Sequence, residues 1–128
     1  SISDDSGLEI HALKNKPGIY SARWAKKYGS FEKAMKKILK LLKSKKNRRA
    51  RFVCSLSVKL SKKEIFSSEG KINGRISEKI LGKNGFGYDP IFIPNKNLKT
   101  FGQMVKRKKL KIDHRYLAFK KLKKKIKI

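Results

Sequence analysis

Two short segments combine aspartate with glycine in a chain that is otherwise rich in lysine. The first is Asp4–Gly7, with the sequence Asp-Asp-Ser-Gly, and the second is Gly85–Pro90, with the sequence Gly-Phe-Gly-Tyr-Asp-Pro. Only 9 of the 128 residues are acidic, so three aspartates in these two segments require an explanation. Glycine lets the backbone approach a ligand closely or adopt a positive φ, and an aspartate beside it can bind Mg²⁺ or activate water.

Each segment also has a structural interpretation that involves no ligand. Asp4–Gly7 could be a polar turn closed by an Asx hydrogen bond, and Gly85–Pro90 could be a glycine turn whose aromatic residues pack inward. A third polar group, Asp113-His114-Arg115, precedes the last predicted helix, where the aspartate could be an N-cap with two solvated neighbours. Considered singly, the segments leave both interpretations open.

The periodicity of the apolar residues indicates an α/β fold in which strands and helices mix within one unit. Ser30 is predicted to cap a helix whose apolar residues recur at helical spacing from Phe31 to Leu42, with lysines on the opposite, solvated face. Every second residue from Phe52 to Leu60 is apolar, which predicts a strand with Cys54 on its buried face. The other predicted elements are a strand at Gly7–Leu13, a loop at Lys14–Tyr20, a helical turn at Ser21–Lys27, a strand or hairpin at Glu64–Ile76 with bends or bulges at Gly70 and Gly74, a short strand at Pro90–Ile93 and an amphipathic helix at Tyr116–Ile128.

Composition limits the class of protein. At 128 residues the chain is one domain or part of one, and it begins without a methionine. It contains no run of 18 apolar residues, so no transmembrane helix is predicted. The single cysteine, Cys54, excludes an internal disulfide and an all-cysteine zinc site, which fits a reducing cytoplasm.

The formal charge of +27 leaves two kinds of partner open. Lysine and arginine bind nucleic acid by releasing counterions from its phosphates, and the same field would attract an anionic small substrate such as a nucleotide. The lysine runs contain few aromatic residues on which bases could stack, and this counts against a nucleic-acid-binding module.

Taken together and in order, these segments resemble the inosine triphosphate pyrophosphatase family, which hydrolyses non-standard purine nucleoside triphosphates. Several motifs in the same order make the resemblance specific, and they run nearly from one end of the chain to the other. The matching stretches are Asp4–Glu9, Pro17–Trp24, Ala50–Cys54, Gly74–Ile76, Asn84–Phe92, Lys99–Phe101 and His114-Arg115.

The resemblance implies a mixed central sheet flanked by helices, and the hydrolysis of ITP, dITP or XTP to the monophosphate and pyrophosphate. It also implies a Mg²⁺ cofactor and a homodimer. Composition argues against a membrane as partner and makes nucleic acid the less favoured partner. By the same resemblance, Asp5 is the metal-linked general base that activates water, and Ser6 contacts the substrate.

Recognition of the purine base is also implied by the resemblance. One wall of the base pocket would be formed by Phe86, Gly87, Tyr88 and Asp89. Phe86 would stack on the purine, and Asp89 would accept a hydrogen bond from a ring N–H. Lys109 would contact the substrate, while His114 and Arg115 would face the purine O6.

Two features depart from the family pattern. A phosphate-binding loop of the type Thr/Ser-Gly-Asn-x-x-Lys is not found in Ser1–Ile128. We therefore expect residues 1–128 to form a partial domain that lacks its N-terminal part and is inactive, or nearly so, when tested alone. The sequence Asp113-His114-Arg115-Tyr116 stands where the family usually has Ser-His-Arg-Gly, so Asp113 could pair with Arg115 and compete with the substrate.

Overall fold

The computed structural model describes residues 2–85, 87–105 and 114–126, with side chains for all of them except residues 2–5, 114–116 and 126. A sheet in the order β2-β1-β3-β4-β5 lies at the centre of these residues. The strands are β1 (Ile2–Ile10), β2 (Lys16–Gly18), β3 (Arg49–Lys59), β4 (Ile65–Ile76) and β5 (Phe92–Pro94). The helices are α1 (Ser21–Tyr28), α2 (Phe31–Leu42) and α3 (His114–Ile126), and short 3-10 turns lie at His11–Leu13, Asp89–Ile91 and Phe101–Gln103.

The α/β class predicted from the sequence is confirmed. The resemblance implied a mixed sheet, whereas all four pairings among the described strands are antiparallel. The longest pairing joins β3 and β4 residue for residue, because they are neighbours in the chain and a short turn suffices to connect antiparallel strands. That turn is closed by a 2.9 Å hydrogen bond from Leu60 N to Glu64 O.

One face of the sheet carries the apolar core. The residues of β3 buried on this face are Ala50, Phe52, Cys54, Leu56 and Val58. Their alternation confirms the predicted strand and the predicted burial of Cys54. Ile38 and Leu42 of α2 share an apolar cluster with the first two of these residues, while Ala118 and Leu122 of α3 share one with the last three. Both helices therefore lie on the same face of the sheet.

The interpretation of Asp4–Gly7 as a polar turn is wrong, since these residues lie inside β1. Each of them pairs with a residue of β3, from Asp4 opposite Leu56 to Gly7 opposite Val53. The ladder satisfies the backbone groups that an Asx turn would otherwise use. The predicted loop at Lys14–Tyr20 likewise contains a strand, β2, which lies at the edge of the sheet where proline is tolerated.

Further boundaries differ from the sequence prediction. Gly70 and Gly74 were expected to mark bends or bulges, yet the register of β3 and β4 continues one to one through both. Gly74 is small for another reason, because a Cβ there would overlap with the carbonyl oxygen of Ile93 in β5. The last strand begins only at Phe92, after the 3-10 turn, and the last helix begins at His114 instead of Tyr116.

The ends and faces of the lysine-rich helices are held by hydrogen bonds. The predicted cap of α2 is confirmed, since Ser30 Oγ accepts a 3.0 Å hydrogen bond from Lys33 N. On α3, Lys121 Nζ donates to Glu69 O at 3.0 Å and Lys125 Nζ donates to Ser67 O. These lysines thus hold α3 against the backbone of β4.

No helix within residues 2–85, 87–105 and 114–126 has the length and apolar character needed to cross a membrane.

Candidate active site

The first predicted segment lies in the middle of the sheet. Asp4 is paired with Leu56, Asp5 with Ser55 and Ser6 with Cys54. Leu56 and Cys54 are buried, whereas Ser55 is exposed. The register positions of Asp4 and Asp5 therefore belong to opposite faces of the sheet, because successive residues of a strand alternate between faces.

Position 7 needs a glycine because the backbone of Gly18 packs directly against it. A Cβ on Gly7 would overlap with the carbonyl oxygen of Gly18, which crosses above it where β2 pairs with β1. The sequence suggested that this glycine lets the backbone approach a ligand closely, whereas the group that lies against Gly7 in the structure is the backbone of Gly18. Gly7 thereby lets the edge strand β2 lie against β1 next to the Leu8–Gly18 pair.

The second predicted segment is a tight turn around a carboxylate. Gly85 and Gly87 have φ angles of +74° and +62°, in the left-handed region that favours glycine. Asp89 is only 3% exposed, and a Cβ on Gly85 would overlap with its Oδ2. The turn therefore holds the Asp89 carboxylate in one place. Phe86, which was predicted to stack on the purine, lies outside the described residues.

Tyr88 attaches this turn to the rest of the fold. Its ring is 3% exposed and packs edge-on against Phe31, with ring centroids 5.2 Å apart. Its hydroxyl donates a buried 2.6 Å hydrogen bond to the backbone oxygen of Ser21. Burial, and to a smaller extent the neighbouring Tyr28, raises the pKa of the Tyr88 hydroxyl well above its ordinary value. Tyr88 is therefore a protonated donor at neutral pH.

Ser21 continues the connection to β1. Its Oγ accepts a 2.9 Å hydrogen bond from Leu8 N and donates a 2.7 Å hydrogen bond to Gly18 O. Sequence reasoning assigned no role to Ser21. The available signal was its place in the stretch Pro17–Trp24, which belongs to the motifs that carry the family resemblance.

The helix α3 brings the third predicted group to the same part of the sheet. Ala118, one turn after His114, is fully buried in one cluster with Cys54 and Leu56, the partners of Ser6 and Asp4. Ser68 Oγ donates a buried hydrogen bond to Ala118 O.

The third predicted group lies largely outside the described residues. The side chains of His114 and Arg115 are outside the described set, as are Asp113 and Lys109 altogether. The start of α3, the Asp4 and Ser6 positions of β1 and the 85–89 turn thus belong to the same core face, while the Asp5 position belongs to the opposite one. The predicted contacts of Lys109, His114 and Arg115 stay predictions.

The chemistry of the aspartates fits Mg²⁺. Among the residues that the structure describes, no three or more His, Cys, Asp or Glu are grouped closely enough to hold a metal ion. Mg²⁺ is usually held by one or two protein carboxylates and completes its shell with substrate phosphates and water. The single carboxylate of Asp5 would suit that pattern, which needs no larger cluster of protein ligands.

A shallow groove of about 260 Å³ lies at the side of the sheet that the core leaves open. Arg51 in this groove donates to Glu9 across 2.5 Å. The groove is lined by Glu9, His11, Asn15, Arg49, Ala50, Arg51 and Asn73. These residues include none of the predicted site residues, so the groove is not assigned to the active site.

Sequence comparison gives one family over nearly the whole chain. A model of the Ham1 family matches residues 1–125. The chain is 39% identical over 126 residues to a dITP/XTP pyrophosphatase of Clostridium tetani (strain Massachusetts / E88), covering 98% of this chain and 63% of that protein. It is 44% identical over 125 residues to a dITP/XTP pyrophosphatase of Bacillus subtilis (strain 168), covering 96% of this chain and 63% of that protein.

Solved structures show the same fold. The Ham1 protein of Staphylococcus aureus superposes with a TM-score of 0.92 at 43% identity, covering 98% of this chain and 66% of that one. A HAM1 protein of Coxiella burnetii gives a TM-score of 0.91 at 32% identity with the same coverage. The chain spans about three fifths of the length of the curated relatives it matches.

Proposed function

The chain belongs to the Ham1 family, and on that premise we propose that it serves in the hydrolysis of non-standard purine nucleoside triphosphates. The proposed substrates are ITP, dITP and XTP, and the products are the nucleoside monophosphate and pyrophosphate. The observation that carries the proposal is the match to a dITP/XTP pyrophosphatase over 98% of this chain. A match of that extent includes both Asp4–Gly7 and Gly85–Pro90.

In the proposed reaction, Asp5 removes a proton from a water whose oxygen bonds to the α phosphorus, while the bond from that phosphorus to the α–β bridging oxygen breaks and pyrophosphate leaves. Asp5 together with the substrate phosphates would hold Mg²⁺, which when bound neutralises phosphate charge. Ser6 and Lys109 contact the substrate. The net charge of +27 favours the approach of a nucleotide with about four negative charges.

Selection of the base depends on hydrogen-bond polarity. Hypoxanthine and xanthine carry an acceptor at O6 and a donor at N1–H, whereas adenine reverses both. Asp89 as acceptor and Arg115 with His114 as donors would match the first two bases and be mispaired against adenine. A site built on hydrogen bonds rejects a mispaired analogue much more strongly than an apolar pocket does.

The turn around Asp89 supports this assignment. Because Gly85 packs on the Asp89 carboxylate and Tyr88 is anchored to α1, the acceptor cannot easily turn to suit another base. Little reorganisation is then needed when the correct base binds, and little adaptation is available for a wrong one. Phe86 would supply the stacking surface next to this acceptor.

The test is pyrophosphate release from ITP, dITP, XTP and ATP with Mg²⁺ present, using the protein with whatever further segments its gene encodes. We expect kcat/KM for ITP or XTP to exceed that for ATP by at least about a hundredfold, or ~2.7 kcal/mol, which two mispaired buried hydrogen bonds can supply. Comparable turnover of ATP and ITP would contradict the roles of Asp89 and Arg115.

Two further expectations stay predictions. The homodimer implied by the resemblance can be checked by sedimentation at micromolar concentration. A basic nucleic-acid-binding module is the alternative function, and it would lose affinity for DNA or RNA steeply between low and moderate salt. Lys121 and Lys125 donate to backbone oxygens of β4, so these two lysines of α3 also have a structural role.

A further inference from the structure

We propose that Ser21 and Tyr88 are positioning residues that hold the Asp89 turn at a set distance from the strand of Asp5, and thereby link base recognition to water activation. This inference rests on the proposed function and adds two roles to it. Ser21 had no assigned role, and Tyr88 acts through its contact with α1 and not by touching the base.

The connection joins three elements that are far apart in sequence. Leu8 in β1 and Ser21 at the start of α1 are 13 residues apart, and Ser21 and Tyr88 are 67 apart. All three residues are buried, with exposed fractions of 0%, 6% and 3%. Hydrogen bonds in such a site have no water to replace them, so losing one leaves a buried group unpaired.

The chemistry of Ser21 is specific to this place. Leu8 and Gly18 are register partners of β1 and β2, and the Ser21 hydroxyl lies between the N–H of one and the C=O of the other. A group that both accepts and donates is needed there, which a hydroxyl supplies and a methyl group does not. Ser21 therefore fixes the first turn of α1 to the end of β1.

The other end of the connection is the base turn. Tyr88 donates to Ser21 O, and Asp89 is the next residue. Phe31 packs on the Tyr88 ring, so the ring is held from a second side. The ring makes the apolar contact and the hydroxyl makes the directional one. Removing the hydroxyl alone should loosen the turn without emptying the core.

Strand β1 links the position of Leu8 to that of Asp5. Asp5 lies three residues before Leu8, about 10 Å along a strand. Every residue from Ile2 to Ile10 is paired with β3, so Leu8 and Asp5 cannot move independently. A shift of the Asp89 turn relative to Leu8 is therefore a shift of the base relative to Asp5, and small misplacements of this kind lower the chemical step strongly.

The experiment compares Tyr88→Phe and Ser21→Ala with Tyr28→Phe as matched control. Tyr28 packs edge-on against Trp24 in α1, so its variant makes the same chemical change next to the site. We measure kcat and KM for ITP and for ATP in the protein with all segments its gene encodes. For Tyr88→Phe and Ser21→Ala, we expect kcat for ITP to fall about tenfold with KM changed less, and the ITP-to-ATP ratio of kcat/KM to fall by a similar factor.

A purely structural role would act differently. Partial unfolding would reduce the active fraction, lowering kcat for ITP and ATP together and leaving their ratio unchanged. An unchanged ratio in a variant that still hydrolyses ITP would overturn this inference alone. Absence of ITP hydrolysis in the unsubstituted protein would instead overturn the proposed function and this inference with it.

Amide hydrogen exchange gives a second measurement that does not depend on activity. We expect Ser21→Ala to raise exchange at Leu8 N–H, and Tyr88→Phe to raise exchange across residues 87–91. Tyr28→Phe should leave both unchanged. Equal protection of these amides in all four proteins would show that the connection does not hold the turn, and would overturn the inference.

Discussion

Replacing Gly85 by alanine should lower the free energy of unfolding, because the added methyl group would overlap with the carboxylate of Asp89. Gly85 and Gly87 stand in the same turn and both have left-handed φ, at +74° and +62°. A Cβ on Gly87 would meet Phe31 at 3.6 Å, an ordinary contact, whereas a Cβ on Gly85 would overlap with Asp89 Oδ2. Gly87→Ala is therefore a matched control that carries the backbone cost alone.

The two costs can be estimated separately. A left-handed conformation at a residue other than glycine costs roughly 1–2 kcal/mol, so Gly87→Ala should lower the free energy of unfolding by about that amount. Gly85→Ala must also displace a carboxylate that is 3% exposed. Disturbing a buried polar group costs about 1–3 kcal/mol more. We therefore expect a total loss of roughly 2–5 kcal/mol for Gly85→Ala.

Equilibrium unfolding in urea measures both losses, and a double-mutant cycle identifies the cause. In an Asp89→Ala background the overlapping Oδ2 and Cγ are gone and only the Cβ contact at 3.1 Å stays, so most of the excess cost of Gly85→Ala over Gly87→Ala should disappear. Equal losses for the two single glycine variants would refute the reasoning. So would an excess for Gly85→Ala that is undiminished after the carboxylate is removed, because the obstruction would then lie elsewhere.

The remaining predictions concern catalysis, capping and pH. Asp5→Asn should lower kcat for pyrophosphate release by ~10²-fold or more with an unchanged free energy of unfolding, because asparagine keeps the volume and the backbone pairing but is a poor base. Asp4→Asn, whose register position belongs to the other face of the sheet, should lower kcat less. A near-normal kcat in Asp5→Asn would contradict the role of Asp5. Ser30→Ala should lower the free energy of unfolding by about 1 kcal/mol through the lost cap of α2, measured by urea titration, and no change would show that the cap is dispensable. Burial raises the pKa of Tyr88, so above about pH 10 the unfolded state loses this proton while the folded state keeps it, and the free energy of unfolding falls as pH rises beyond that point. The free energy of unfolding of Tyr88→Phe should therefore fall less steeply at alkaline pH than that of the unsubstituted protein. Parallel curves for the two proteins would contradict this.

The elements that sequence reasoning predicted correctly are those specified by neighbours along the chain. The alternation from Phe52 to Val58 marks a strand with one buried face, and it also predicts that Cys54 is buried. Ser30 caps α2 through a bond to a residue only three positions away. Patterns of this kind depend on local repeat lengths of two or about 3.6 residues, which are visible in the sequence.

The segments that were misassigned are those whose partners lie far along the chain. Asp4–Gly7 has the composition of a turn, but its backbone groups pair with β3, nearly fifty residues later. No local pattern reports a partner at that distance, and the ladder satisfies more backbone groups than a turn would.

The sequence by itself determined the family, through motifs whose order runs along the whole chain. Membership of the family in turn is the basis for the chemistry that we propose for Asp5, Asp89, His114 and Arg115. Only the tertiary structure decided what the glycines beside the aspartates do: Gly7 admits the Gly18 carbonyl, and Gly85 admits the Asp89 carboxylate. Only the tertiary structure also joined Leu8, Ser21 and Tyr88. The physical reason is that close approach and buried hydrogen bonds depend on the positions of atoms brought together by folding, whereas residue type and spacing report only what each stretch of chain could do.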